Sequence, residues 1–119
     1  MVYTKEDLYS IQEDLFNLVK NQQKQDWKNY VEFLNSVDPT YYKLMISDGE
    51  FNLLHDLILC YSLRNTNIIN PIIEKLVNNG IDINARTIYG DTPLYLAAKC
   101  EYIDLMLYLI DWVLIIQSS

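Results

Sequence analysis

The sequence predicts an all-α fold built of amphipathic helices, part of which is repeated. Three observations predict it. Apolar residues in the first forty positions recur at i, i+3, i+4 and i+7, the spacing of one helix face. The stretch Asn52-Leu53-Leu54-His55-Asp56-Leu57-Ile58-Leu59-Cys60 lines up with Thr92-Pro93-Leu94-Tyr95-Leu96-Ala97-Ala98-Lys99-Cys100 at an offset of forty residues, so the chain contains an internal repeat. Helix stop and start signals also stand at Asn79-Gly80 and at Thr92-Pro93.

In chain order, Thr4 is placed to cap the first helix, with Asp7 three residues on as a short capping box. Leu8, Ile11, Leu15, Leu18 and Val19 then form its apolar stripe, and the polar run Asn21 to Gln25 ends it. Asp26 begins a second helix whose stripe is Trp27, Tyr30, Val31 and Leu34, stopped by Asn35 to Pro39. Neither helix is long enough to stand alone in water, so the pair must bury its stripes against the rest of the chain. Tyr41 to Ile46 reads either as one helical turn or as an extended piece. Ser47-Asp48-Gly49 is a turn signal, and the first copy of the repeated helix comes next, from Asn52. Asn70 is placed to cap the next helix with Pro71 at its first position, and Ile72, Ile73, Leu76 and Val77 form its buried face.

Gly80 tolerates the left-handed conformation that closes a helix, and Ile81 and Ile83 then alternate with Asp82 and Asn84 as a short extended segment. A second turn comes at Tyr89-Gly90-Asp91. Thr92 caps the following helix with its hydroxyl, Pro93 takes the first helical position where no amide donor is needed, and Leu94, Ala97 and Ala98 make a narrow stripe that lets a neighbouring helix approach.

From Gly80 to Cys100 this chain closely resembles the linking hairpin and first helix of an ankyrin repeat, and the resemblance covers roughly residues 49 to 112. It implies an ankyrin-repeat solenoid of helix pairs joined by short hairpin linkers. The first repeat keeps the family's histidine as His55 but lacks the Pro, and Leu57 and Ile58 replace the small alanines, which predicts looser helix spacing there. The second repeat has Tyr95 in place of the histidine. An offset of forty exceeds the family period of about 33 residues, and the excess falls in Ser62 to Ile69, expected as an enlarged loop between the two helices of the first repeat. The expected organisation is 1–47 as a helical pair acting as cap or degenerate repeat, 48–84 as a repeat with that inserted loop, and 85–119 as a repeat with an apolar end. Solenoids generally need three or more units, so the N-terminal pair is expected to complete the stack. The Asn/Ile/Tyr-rich texture is similar to that of ankyrin proteins of large DNA viruses and some intracellular bacteria.

Tyr102 to Ile110 fits the second helix of the last repeat, with little solvent face. Asp111-Trp112 then runs into Val113-Leu114-Ile115-Ile116 where the family would continue with a polar residue and Gly. This predicts truncation from a longer array, or a face covered by a partner or by self-association through Trp112 to Ile116. A membrane span is not expected, since the run falls short of about 20 residues and carries Asp104 and Asp111.

The 119 residues suffice for one modest domain. A net charge of −7 argues against nucleic acid or an anionic membrane as partner, and favours a neutral or basic one. Two cysteines behind a polar N-terminus point to a reducing compartment, cytoplasmic or nuclear, rather than secretion.

The chemical inventory is short. His55 is the single histidine, without a Cys, His or carboxylate set at ligand spacing, so no metal site is expected. The acidic pairs Glu6/Asp7, Glu13/Asp14 and Glu101/Asp104 fall on helix surfaces, and no phosphate-binding glycine loop or nucleophile–base pairing is present. No catalytic residues and no cofactor are expected. Cys60 and Cys100 occupy equivalent repeat positions and are expected as small apolar residues at helix ends. The resemblance gives His55 a structural role, bonding within and between hairpins, and makes Gly80, Gly90, Thr92, Pro93, Ala97 and Ala98 structural as well. It places the partner-binding face on the turn tips and first helices, which by position are Arg86, Ile88, Tyr89, Asp91 and Lys99. An exposed apolar-aromatic tip beside an arginine has the composition of a protein-binding hot spot.

Overall fold

The structure, a computed structural model, describes residues 2–21 and 23–118. Six α-helices succeed one another among them: α1 Lys5–Val19, α2 Lys24–Ser36, α3 Leu53–Leu59, α4 Thr66–Asn78, α5 Pro93–Lys99 and α6 Ile103–Gln117. Short 3-10 turns lie at Pro39–Leu44 and Leu63–Asn65. The fold is all-α, as the periodicity predicts, and extended pairing among the described residues is an isolated bridge between Ile46 and Asn52.

Helix starts depend on side-chain chemistry. Thr4 Oγ1 accepts from the Asp7 amide at 3.1 Å and Asp7 Oδ2 from the Thr4 amide at 2.9 Å, completing the capping box of α1. Asn52 Oδ1 accepts from the amides of Leu54 and His55, and Thr92 Oγ1 from that of Tyr95, so the repeat-equivalent residues cap α3 and α5 alike. Cys60 and Cys100 are the matching C-caps. Cys60 is buried and Cys100 half-buried, both as free thiols.

Several segments depart from the sequence-based expectation. α2 starts at Lys24 rather than Asp26. Tyr41 to Ile46 is both alternatives in succession, a 3-10 turn through Leu44 and then extended backbone at the Ile46 bridge. The expected loop from Ser62 to Ile69 is instead folded: Leu63–Asn65 is a 3-10 turn, and α4 begins at Thr66, placing Pro71 inside the helix. Burial accounts for this, because Tyr61, Asn65 and Ile69 are all in the interior and the segment cannot float as a surface loop. Asn67, whose carbonyl loses the amide that Pro71 lacks, is exposed. At the C-terminal side the helix expected to end at Ile110 continues to Gln117.

The first helices α1, α3 and α5 pack in a row, α1 against α3 and α3 against α5, while α2, α4 and α6 back them as second helices of each pair. α1 approaches α3 less closely than α5 does. One apolar core runs through the stack, from Leu15, Trp27, Tyr30 and Leu34 through Leu53, Leu57, Ile73 and Leu76 to Ala97, Leu105 and Leu109. The Tyr108 hydroxyl donates to the Asn70 carbonyl at 3.0 Å and ties α6 to α4.

Candidate functional site

Two turn tips project from the same side of the stack, Ser47 to Phe51 before α3 and Thr87 to Asp91 before α5, and they are built alike. In the first, the Ser47 amide donates to the Phe51 carbonyl at 3.0 Å and the Glu50 amide to the Ser47 carbonyl at 2.9 Å. Forty residues later, Thr87 donates to Asp91 at 3.0 Å and Gly90 to Thr87 at 2.9 Å. The hydroxyl at the base of each tip caps it internally: Ser47 Oγ accepts from the Phe51 amide, and Thr87 Oγ1 from the amides of Tyr89 and Asp91. Thr87, buried, thus fixes its tip from within. The fourth tip position is left-handed in both copies, at φ 60° for Glu50 and 80° for Gly90.

The tips are also joined to one another. The Ile88 amide donates to the Gly49 carbonyl at 3.0 Å, and the Tyr89 ring meets Phe51 edge-on. His55, fully buried at the start of α3, is the main staple. Its Nδ1 accepts from the Asn52 amide at 3.0 Å, while Nε2 lies 3.1 Å from the Ala85 carbonyl and 3.0 Å from the Asp91 carbonyl. An acceptor role at Nδ1 and two carbonyls at Nε2 require the neutral ring protonated on Nε2. Burial holds its pKa below the ordinary value, outweighing the two carbonyls that favour the charged form. Asn52 completes the joint through Nδ2, which donates to the Asp82 carbonyl at 3.1 Å.

The residues predicted for the partner face divide into two groups. Arg86, Ile88 and Tyr89 stand out from the tip, Ile88 57% and Tyr89 73% exposed. Asp91 does not belong with them: it is buried, its carbonyl serves Thr87 and His55, and its carboxylate pairs with Lys99 at 3.3 Å. Lys99 is correspondingly tethered, with its ammonium 5.6 Å above the Tyr95 ring, although half of its side chain remains exposed. Among the residues given structural roles, Gly80 and Gly90 have positive φ, Thr92 caps, Pro93 and Ala97 are buried, and Ala98 is half-buried.

Two mostly buried polar residues belong to no sequence motif. Gln12, on the buried face of α1, donates through Nε2 to the Phe51 carbonyl at 2.8 Å and to Asp56 Oδ2 at 3.0 Å, linking the N-terminal pair to the first tip. Asp56 is mostly buried beneath it, and burial pushes its carboxyl up to about 7, against the lowering effect of the Gln12 bond. Gln12 stands next to Ile11 and one turn from Leu8 and Leu15, so its inward position is implicit in the helix period; only its polarity disguises it. Among the described residues no group of three His, Cys, Asp or Glu side chains could hold a metal ion, and no helix is long and apolar enough to cross a membrane.

Residues 70–110 match the ankyrin-repeat family, described as ankyrin repeats in many copies; they span most of α4, the second tip, α5 and the first half of α6. An ankyrin repeat protein of fowlpox virus (strain NVSL) is 39% identical over 57 residues, a match that takes in 47% of this chain and 11% of the viral protein. No solved structure matches the chain. The family is generally one of protein-interaction modules rather than enzymes, and the stacked helix pairs and the histidine staple between hairpins agree with the sequence match: residues 70–110 of the chain carry ankyrin-repeat sequence.

Proposed function

We propose that the chain acts without catalysis, as a module that binds another protein through its second turn tip. The observation that carries this reading is the exposure of Ile88 and Tyr89 beside Arg86 on a turn whose backbone is fixed from within by Thr87 and from behind by His55. Exposing a large apolar and an aromatic side chain is unfavourable in water unless a partner covers them, and a preordered tip loses little entropy when that happens. Arg86, Ile88 and Tyr89 are the contact residues in this proposal, with Lys99 at the margin. The fowlpox relative supports a further step: a virus-encoded chain of this kind has a host protein as its target, inside the infected cell.

Replacing Tyr89 by a photo-crosslinking phenylalanine analogue tests the placement. Irradiation in cell extract should yield a discrete adduct from position 89 and none from the same analogue at Glu32, an exposed residue of α2. Equal adducts from both positions would sink the tip as the contact surface.

A second reading has its own observation. Ile103, Leu107 and Leu114 are each more than half exposed on α6, and Ile115 adds to them, whereas Trp112 and Val113 are half-buried against the core. Self-association therefore falls to the outward face of α6, rather than to the whole run from Trp112 to Ile116. Sedimentation velocity distinguishes it: a dimer abolished by Leu107→Lys/Leu114→Lys supports this reading, and a monomer at all concentrations removes it.

A further inference from the structure

A cleft of about 290 Å³ opens between α1 and α3 beside the first tip. Its walls are the rings of Tyr9, Phe16 and Phe51. Its polar lining is built of acceptors. Gln12, 3% exposed, commits both Nε2 protons to the Phe51 carbonyl and Asp56 Oδ2, which fixes the amide's orientation and leaves Oε1 as a buried acceptor without a partner among the described residues. The carboxylates of Asp56 and Glu13 line the same space, and the charge of Asp48 raises the pKa of the Tyr9 hydroxyl. Among the described residues no lysine or arginine lines the cleft. A buried amide oxygen left without a donor is costly, and two carboxylates beside it make a cation the complementary occupant. Aromatic walls suit an aliphatic stem and attract a cation at its end.

We propose that this cleft receives a lysine or arginine side chain presented by a protein partner, its charged head meeting Gln12 Oε1 and the carboxylates of Asp56 and Glu13 while its stem lies among the rings. The proposal rests on the chain's being a protein-binding module and adds to it a specificity pocket on the first repeat. The net charge of −7 favours the same class of partner.

Binding of this kind depends on pH. The titratable groups around Asp56 are Glu13 and Tyr9 from α1, Tyr30 from α2, Asp48 from the tip, and His55 and Cys60 from its own helix and cap. Burial raises Tyr30 above the usual phenol range and Cys60 to about 12, and holds His55 below its ordinary value. Asp56, at about 7, is therefore the group whose charge changes between pH 6 and 8.

The test is a titration of the ¹⁵N-labelled full chain with Nα-acetyl-lysine methylamide, its arginine counterpart and, as an uncharged control of the same stem, the norleucine one. Saturable shifts at the Gln12 side-chain amide and at the Phe51 and Asp56 backbone amides are expected for the two cations, with norleucine at least about fivefold weaker. Lysine affinity should rise severalfold, at most about tenfold, from pH 6 to 8, and that rise should vanish in Asp56→Asn. Glu13 is exposed, so Glu13→Gln keeps the fold and should weaken lysine binding severalfold. Equal binding of norleucine, or non-saturating shifts spread over surface carboxylates, would overturn the proposal. A chain that crosslinks a partner through position 89 yet ignores both cations refutes the cleft alone.

Discussion

Two buried tyrosines with opposite circumstances show how single residues hold this stack. The Tyr42 hydroxyl donates to the Leu34 carbonyl at 2.8 Å, whereas the Tyr30 hydroxyl, equally buried, has no partner among the described residues. Tyr42→Phe should cost about 1 kcal/mol, and Tyr30→Phe should be neutral or stabilising, since it removes a polar atom that gains nothing from burial. Urea titrations of the two variants check this. His55→Ala leaves three backbone groups without their partner and opens a void, so a loss of roughly 2–4 kcal/mol is expected in the same assay. pH sets His55 and Asp56 against each other. The His55 pKa is depressed on folding, so its contribution is present above about pH 6.5 and is lost as pH falls through the folded value. The Asp56 pKa is raised to about 7, so its contribution is full below the unfolded value and is lost as pH rises through 7. Asp56→Asn should accordingly add about 1–3 kcal/mol of stability at pH 8, with a higher melting temperature, and do little at pH 4. Legibility at this scale tracks chemistry. His55 can be placed because one histidine stands at one motif position, but Asp91 is misread because a carboxylate at a turn tip looks solvated until its ion pair with Lys99 is seen.

At the scale of elements, the two tips differ most at their left-handed residue. Gly90 adopts φ 80° without strain, while Glu50 in the equivalent place is held at φ 60°. Glu50→Gly should therefore stabilise the fold by about 0.5–1 kcal/mol after allowing for the greater freedom of glycine in the unfolded chain, and so raise the melting temperature. Thermal melts by circular dichroism measure it, and a lower melting temperature would mean that the Glu50 side chain contributes more than its backbone loses. The caps of α1, α3 and α5 are readable because Thr4, Asn52 and Thr92 use short-range side-chain bonds. The start of α4 is not, since Asn70-Pro71 mimics a helix start and only the tertiary burial of Tyr61, Asn65 and Ile69 carries the helix past it. The same limit applies to α6, which continues past Ile110 with Trp112 and Val113 against the core.

Over the whole molecule, the N-terminal pair shares one core with the repeats, through Leu15, Trp27 and Tyr30 on its side and Leu53 and Leu57 on theirs. Removing residues 1–47 should abolish the cooperative thermal transition of the full chain, because it takes Leu15, Trp27 and Tyr30 out of the core that α3 shares. The stack order is legible from the forty-residue offset, but the cleft between α1 and α3 is not, since it depends on how far apart two helices settle. The stack as a whole holds Arg86, Ile88 and Tyr89 outward on a fixed turn, and binding through that turn is tested by affinity capture from cell extract. The wild-type chain and an Arg86→Ala/Tyr89→Ala variant of equal melting temperature serve as baits, and retained proteins are identified by mass. A binding tip holds a protein on the first bait and loses it on the second, and capture of the same proteins by both would contradict it.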